Sequence, residues 1–119
     1  MSFASPADDF AEKRCDLNEL LIAHPAATFF WRARGLSMLG AGIADEDILV
    51  VDRALRAQAG DVVVAEVDNA FTVKYLRRRA GAWRLCAADP TFPDVIPREG
   101  QTLAVCGVVV AVVKRLRAR

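Results

Sequence analysis

Histidine, lysine and cysteine are all scarce: the 119 residues contain one histidine, His24, and their lysines are Lys13, Lys74 and Lys114. Each scarcity excludes something. A Ser-His-Asp or Cys-His centre would have to use His24. That residue sits at the end of a short helical segment against Pro25, where an imidazole beside unpaired carbonyls and the negative end of a helix dipole has an ordinary structural role. Cys15, Cys86 and Cys106 are odd in number and form no C-x-x-C pair, which argues against a disulfide framework and leaves no close pair of zinc ligands. No metal and no cofactor is expected. The longest apolar run, Leu103 to Val113, covers about half a bilayer span and is expected to be a buried strand. No basic cluster followed by an apolar stretch opens the chain, so no signal peptide is expected and the cytoplasm is the expected location. Sixteen Lys+Arg against fifteen Asp+Glu leave a formal charge of +1. No global field is available to hold a polyanion or an anionic membrane, so contact with nucleic acid would be local or made through partners.

What is present is a globular composition, 54% hydrophobic and 26% charged, at a length suited to one core. Residues 1–14 lack a sustained period and are expected to form a flexible arm, with residues 15–119 as the domain. Asp16 offers an N-cap with Glu19 three residues on, and Leu17, Leu20, Leu21 and His24 follow at helical spacing until Pro25 stops the helix. From Thr28 the pattern changes to short β-type runs: 28–33, 48–51, 61–67, 71–77, 83–87 and 104–115. Turn residues at 40–42, Gly60, Asp68-Asn69-Ala70, Gly81, Asp89-Pro90 and 97–100 separate them. The expected fold is mainly β, with compact, strongly bent antiparallel sheets and one short N-terminal helix.

Two places could carry chemistry. Lys74 interrupts Phe71-Thr72-Val73-Lys74-Tyr75-Leu76, where alternation puts it on the face of Thr72 and Leu76, opposite Phe71, Val73 and Tyr75. An ammonium on an interior face loses hydration and its pKa falls, so a neutral amine able to act as a base becomes available. On an exterior face the stem would simply cover apolar surface while the head reached water. Gly35-Leu36-Ser37-Met38 directly follows an apolar strand. A serine there can expose Oγ or cap a helix, and Gly35 lets a substrate backbone approach closely. A serine nucleophile needs only a base within hydrogen-bond reach, and a desolvated lysine can replace histidine. No phosphate loop, dinucleotide fingerprint, H-E-x-x-H or paired-carboxylate pattern competes.

The same residues resemble the self-cleaving LexA/UmuD/phage-repressor serine peptidases over nearly the whole chain. The family's G-x-S-M matches Gly35-Leu36-Ser37-Met38, and its G-I-x-D-x-D-x-L-x-V-D matches 42–52. Gly60 to Ala65 matches G-D-I/V-V-x-A, Thr72-Val73-Lys74-Tyr75-Leu76 matches T-V-K-x-L, and Gly107 to Lys114 looks like the final G-V-V-x-x-V-V-K. The front part, 16–22 and His24-Pro25, is similar to the UmuD-like branch. Departures occur at Leu36 and Gly40, where acidic residues are usual, and at Glu46, where glycine is usual.

The resemblance implies a LexA/signal-peptidase-like β-fold, with Ser37 as nucleophile, Lys74 as neutral base, and Gly35 and Met38 as oxyanion or substrate-positioning residues. It also implies an accessory subunit of an error-prone translesion polymerase, polymerase V, in the SOS response. That subunit would be a homodimer working with a UmuC-like polymerase subunit and RecA filaments on single-stranded DNA, and would contact DNA mainly through these partners. Family members are cut at an Ala-Gly or Cys-Gly bond ahead of the serine. No such pair precedes Ser37, and Phe3-Ala4-Ser5-Pro6 looks like the sequence just after the cut, so the processed form is expected. The rival readings are a stand-alone Ser-Lys peptidase acting on other proteins and the cleavage and dimerisation fragment of a repressor.

Overall fold

The structure is a computed structural model and describes residues 16–98 and 103–117; the expected arm, Cys15 and part of the 97–100 turn lie outside these. The first described element is α1, Leu17–Leu21, capped by the Asp16 carboxylate, which accepts from the amides of Asn18 and Glu19. The helix is shorter than its spacing suggests. Ile22 already has an extended backbone, and His24, preceding a proline, is sterically kept out of the helical region. Pro25–Ala27 then form a single 3-10 turn.

Six strands follow: β1 Thr28–Arg32, β2 Ile48–Asp52, β3 Val62–Val67, β4 Ala70–Arg79, β5 Ala82–Cys86 and β6 Leu103–Val113. They form one antiparallel sheet in the order β1-β2-β6-β3-β4-β5. The β3–β4 and β4–β5 hairpins each turn on two residues of positive φ, Asp68-Asn69 and Ala80-Gly81, the backbone that matches the twist of the flanking strands. The long apolar run is the central strand rather than an edge, because β6 pairs with β2 on one side and β3 on the other. Each pairing slips by one residue, leaving Cys106 unopposed against β3 and Val110 unopposed against β2. Such bulges sharpen local twist and bend.

The bent sheet has two apolar layers. Ala33, Met38, Ile43, Leu49, Val51 and Val64 form one, with Trp31, Val73 and Tyr75 packed against it. Val63, Ala65, Leu76, Leu85 and Val108 form the other. Val73 and Tyr75 thus lie opposite Leu76, as the alternation around Lys74 requires. Among the described residues no helix is long and apolar enough to cross a membrane.

Candidate active site

The chain leaves β1 at Arg32 and enters a loop whose backbone is tied down from one side by the segment ahead of β2. Ala33 N–H donates to the Asp47 carbonyl (2.8 Å) and Glu46 N–H to the Ala33 carbonyl (2.8 Å), while the Asp45 carboxylate accepts from Gly35 N–H (2.7 Å). Gly35 has φ +88°, a conformation that glycine adopts without a Cβ clash. Met38 is buried in the first apolar layer, and its carbonyl accepts from Ala41 and Ile43. On the far side the Ser37 carbonyl accepts from the amides of Ala88 and Asp89. Ser37 is therefore held at both ends of its own peptide segment.

Lys74 comes from β4, opposite Val63 in the β3 register. Its Nζ donates to Ser37 Oγ at 3.0 Å, to Thr72 Oγ1 at 2.9 Å and to the Val73 carbonyl at 3.3 Å. All three partners are neutral. Burial pushes the amine below its ordinary 10.5, since desolvation disfavours the charged form and, among the described residues, no carboxylate is bonded to it to restore the charge. In its uncharged state the nitrogen exposes a lone pair at the distance needed to take the Ser37 hydroxyl proton.

A cleft of about 290 Å³ opens over the pair, lined among others by Trp31, Arg34, Gly35, Met38, Phe71 and Thr72. Trp31 and Phe71 meet across it at a tilt, and Trp31 is braced edge-on by Phe29. An extended peptide backbone is a suitable guest for such a groove, with Gly35 presenting no side chain to its approach.

The structure thus brings together Ser37 and Lys74, with Gly35 and Met38 beside them. Gly35 contributes backbone shape; its amide is already engaged by Asp45 and does not point to an oxyanion. Ser37 caps no helix, because Met38 stands before the Leu39–Ala41 3-10 turn without a side-chain cap. His24 differs from the helix-end role expected of it. Its Nδ1 lies 2.6 Å from Asp52 Oδ2, because the helix ends at Leu21 and the imidazole folds back onto β2. This hydrogen bond is the main reason that the buried Asp52 carboxyl is held below its ordinary value. Thr72, which in the sequence marks only a face of the strand, has a hydroxyl that is a direct partner of Lys74, and the i, i+2 spacing on one strand is the signal for it. Asp45 and Asp47, which no sequence signal marks as functional, are loop anchors. Asp47 pairs with Lys114 and accepts from Ala44 N–H, and these contacts, the lysine foremost, draw its carboxyl down.

Glu46 takes a left-handed backbone, φ +73°, at the position where the commoner motif carries glycine. Its carboxylate pairs with Arg32 and Arg34, so the departure from glycine keeps the turn.

The family model described as Peptidase S24-like matches residues 1–110. Protein ImpA of Escherichia coli is 47% identical over 116 residues, covering 97% of this chain and 78% of its own length. Protein SamA of Salmonella typhimurium is 42% identical over 116 residues, covering 98% and 80%. Protein MucA of Escherichia coli is 47% identical over 108 residues, covering 90% and 73%. With a matching family model across most of its length and relatives this close, the chain belongs to the Peptidase S24-like family.

Proposed function

We propose that this chain is a UmuD-like accessory protein of SOS mutagenesis that carries a Ser-Lys peptidase site, with Ser37 as nucleophile and Lys74 as base. The observation that carries the reading is the 3.0 Å contact between Lys74 Nζ and Ser37 Oγ, made by an amine that has no carboxylate partner among the described residues. In the cycle, neutral Lys74 takes the hydroxyl proton as Ser37 Oγ attacks a peptide carbonyl. The lysine then returns that proton to the leaving amine; water attacks the acyl-serine with Lys74 again acting as base, and as the acyl–Oγ bond breaks the lysine passes the proton back to Ser37 Oγ. Thr72 Oγ1 accepts a hydrogen bond from the amine and orients its lone pair. The substrate is the small-residue bond that the family cuts, supplied in cis by an unprocessed precursor or in trans by another copy. RecA filaments on single-stranded DNA stimulate the processing, and in the processed state the same protein acts as a homodimer in the cytoplasm, joined to a UmuC-like polymerase subunit.

Two measurements test this. A fluorophosphonate probe labels the purified chain at Ser37, labelling rises with pH, and it disappears in Ser37→Ala and Lys74→Ala; labelling retained in both variants refutes the dyad. In cells lacking their own copy, the chain restores damage-induced mutagenesis only together with a UmuC-like subunit; restoration without one refutes the accessory role.

A further inference from the structure

The strand that carries Lys74 ends in a feature for which the peptidase site has no use. Past Leu76, β4 continues as Arg77-Arg78-Arg79, turns at Ala80-Gly81, and returns as Ala82-Trp83-Arg84 in β5, an edge strand of the sheet. This hairpin, 77–84, holds four arginines and no acidic residue in a chain whose net charge is only +1. Arg84 is half-buried and committed, its Nη1 donating to Asp94 Oδ2 at 3.1 Å. Arg77, Arg78 and Arg79 are exposed, and among the described residues none of them is paired with a carboxylate.

The arginines are also ordered against aromatic rings. Arg77 lies over Tyr75, 4.6 Å from its centroid, and Arg78 lies over its cross-strand partner Trp83, at 5.1 Å. These contacts place the guanidinium groups of Arg77 and Arg78 beside rings on the two faces of the hairpin, and Trp83 still leaves 39% of its surface to solvent. Arg77 and Arg79 project from one face about 6.8 Å apart along the strand, a spacing that successive phosphates of an extended strand can meet.

We infer that the β4–β5 hairpin is a contact site for single-stranded nucleic acid, with Arg77, Arg78 and Arg79 on phosphates and Trp83 as a stacking surface for a base. Forked, always-charged donors suit phosphate oxygens, and an exposed aromatic beside arginine is the pairing that sequence-tolerant single-strand binding uses. An acidic protein segment would satisfy the charges but leave the ring unused. The site is separate from the dyad, so failure of either proposal leaves the other standing.

The test is fluorescence anisotropy of a labelled 20-nucleotide single strand titrated with the full chain at several salt concentrations. Affinity is expected to fall as salt rises, with a log–log slope near −2, as about three neutralised phosphates require. The triple variant R77Q/R78Q/R79Q, checked for folding by circular dichroism, is expected to lose at least tenfold in affinity. Trp83→Ala is expected to lose about tenfold. The charge-keeping R77K/R78K/R79K variant retains most of the salt slope. A second triple, R53Q/R56Q/R117Q, removes the same charge elsewhere on the surface and is expected to stay within about twofold of the parent. No binding by the parent, or equal losses in both glutamine triples, overturns the proposal. Tighter binding of a labelled polyglutamate peptide than of the oligonucleotide also overturns it, in favour of a protein partner.

Discussion

Trp31 and Phe71 meet with ring centroids 5.1 Å apart, although β2, β6 and β3 lie between the strands that carry them. In a flat sheet those strands would be about 19 Å apart, so the contact measures how far the sheet has curled. The same curl carries the loop after β1 over β4 and lets Ser37 reach Lys74. Phe71 is 52% exposed, so its truncation loses mainly the ring pair, about 1 kcal/mol. Phe71→Ala is expected to lower the melting temperature slightly and to slow fluorophosphonate labelling of Ser37. An unchanged labelling rate would show that the pair serves packing alone.

Lys74 sets a pH dependence of both rate and stability. Burial holds its folded pKa below the ordinary 10.5, so between the folded and unfolded values the unfolded chain binds more protons. Stability therefore rises with pH through that window, after the full cost of burying a charge has been present below it. Denaturant midpoints measured from pH 7 to 10.5 are expected to rise relative to those of Lys74→Met, which lacks the group. Lys74→Arg, always charged, is expected to abolish labelling at every pH.

Asp52 works in the opposite direction. His24 Nδ1 and the Ala54 amide both donate to it, which depresses its folded pKa below the ordinary 3.8. Its contribution is fully present above that value and is lost as pH falls through the depressed one. Asp52→Asn is expected to be less stable than the parent at pH 7, with the gap closing under strongly acid conditions. Parallel acid-denaturation curves would contradict this.

Gly107 sits where β6 crosses between β2 and β3. A Cβ there would lie 2.6 Å from Val51 Cγ1 and 3.3 Å from the Asp52 carbonyl oxygen, and Val51 is fully buried and cannot step aside. Gly107→Ala is expected to cost about 1–3 kcal/mol, read as a lower denaturant midpoint at an unchanged slope.

The strands and the position of Lys74 were legible because β-branched runs, turn residues and strict alternation are local properties. The pairing of Ser37 with Lys74 followed from the scarcity of other bases and from family motifs rather than from periodicity, since thirty-seven positions separate them and no periodicity encodes a long-range contact. The fate of His24 was not legible. Its partner Asp52 lies twenty-eight residues on, and helical spacing alone overran the end of α1. Charge arithmetic also hid the arginine hairpin, because a sum of +1 says nothing about where the charges sit.

The two unopposed residues of β6 make that strand a counting device. Each extra residue changes which side chains face inward beyond it, so an unbroken apolar stretch can serve first one layer and then the other. Deleting any one residue from 106 to 110 would put everything downstream out of step by one, turning Lys114 away from Asp47 and loosening the anchor of the serine loop from the opposite end of the polypeptide.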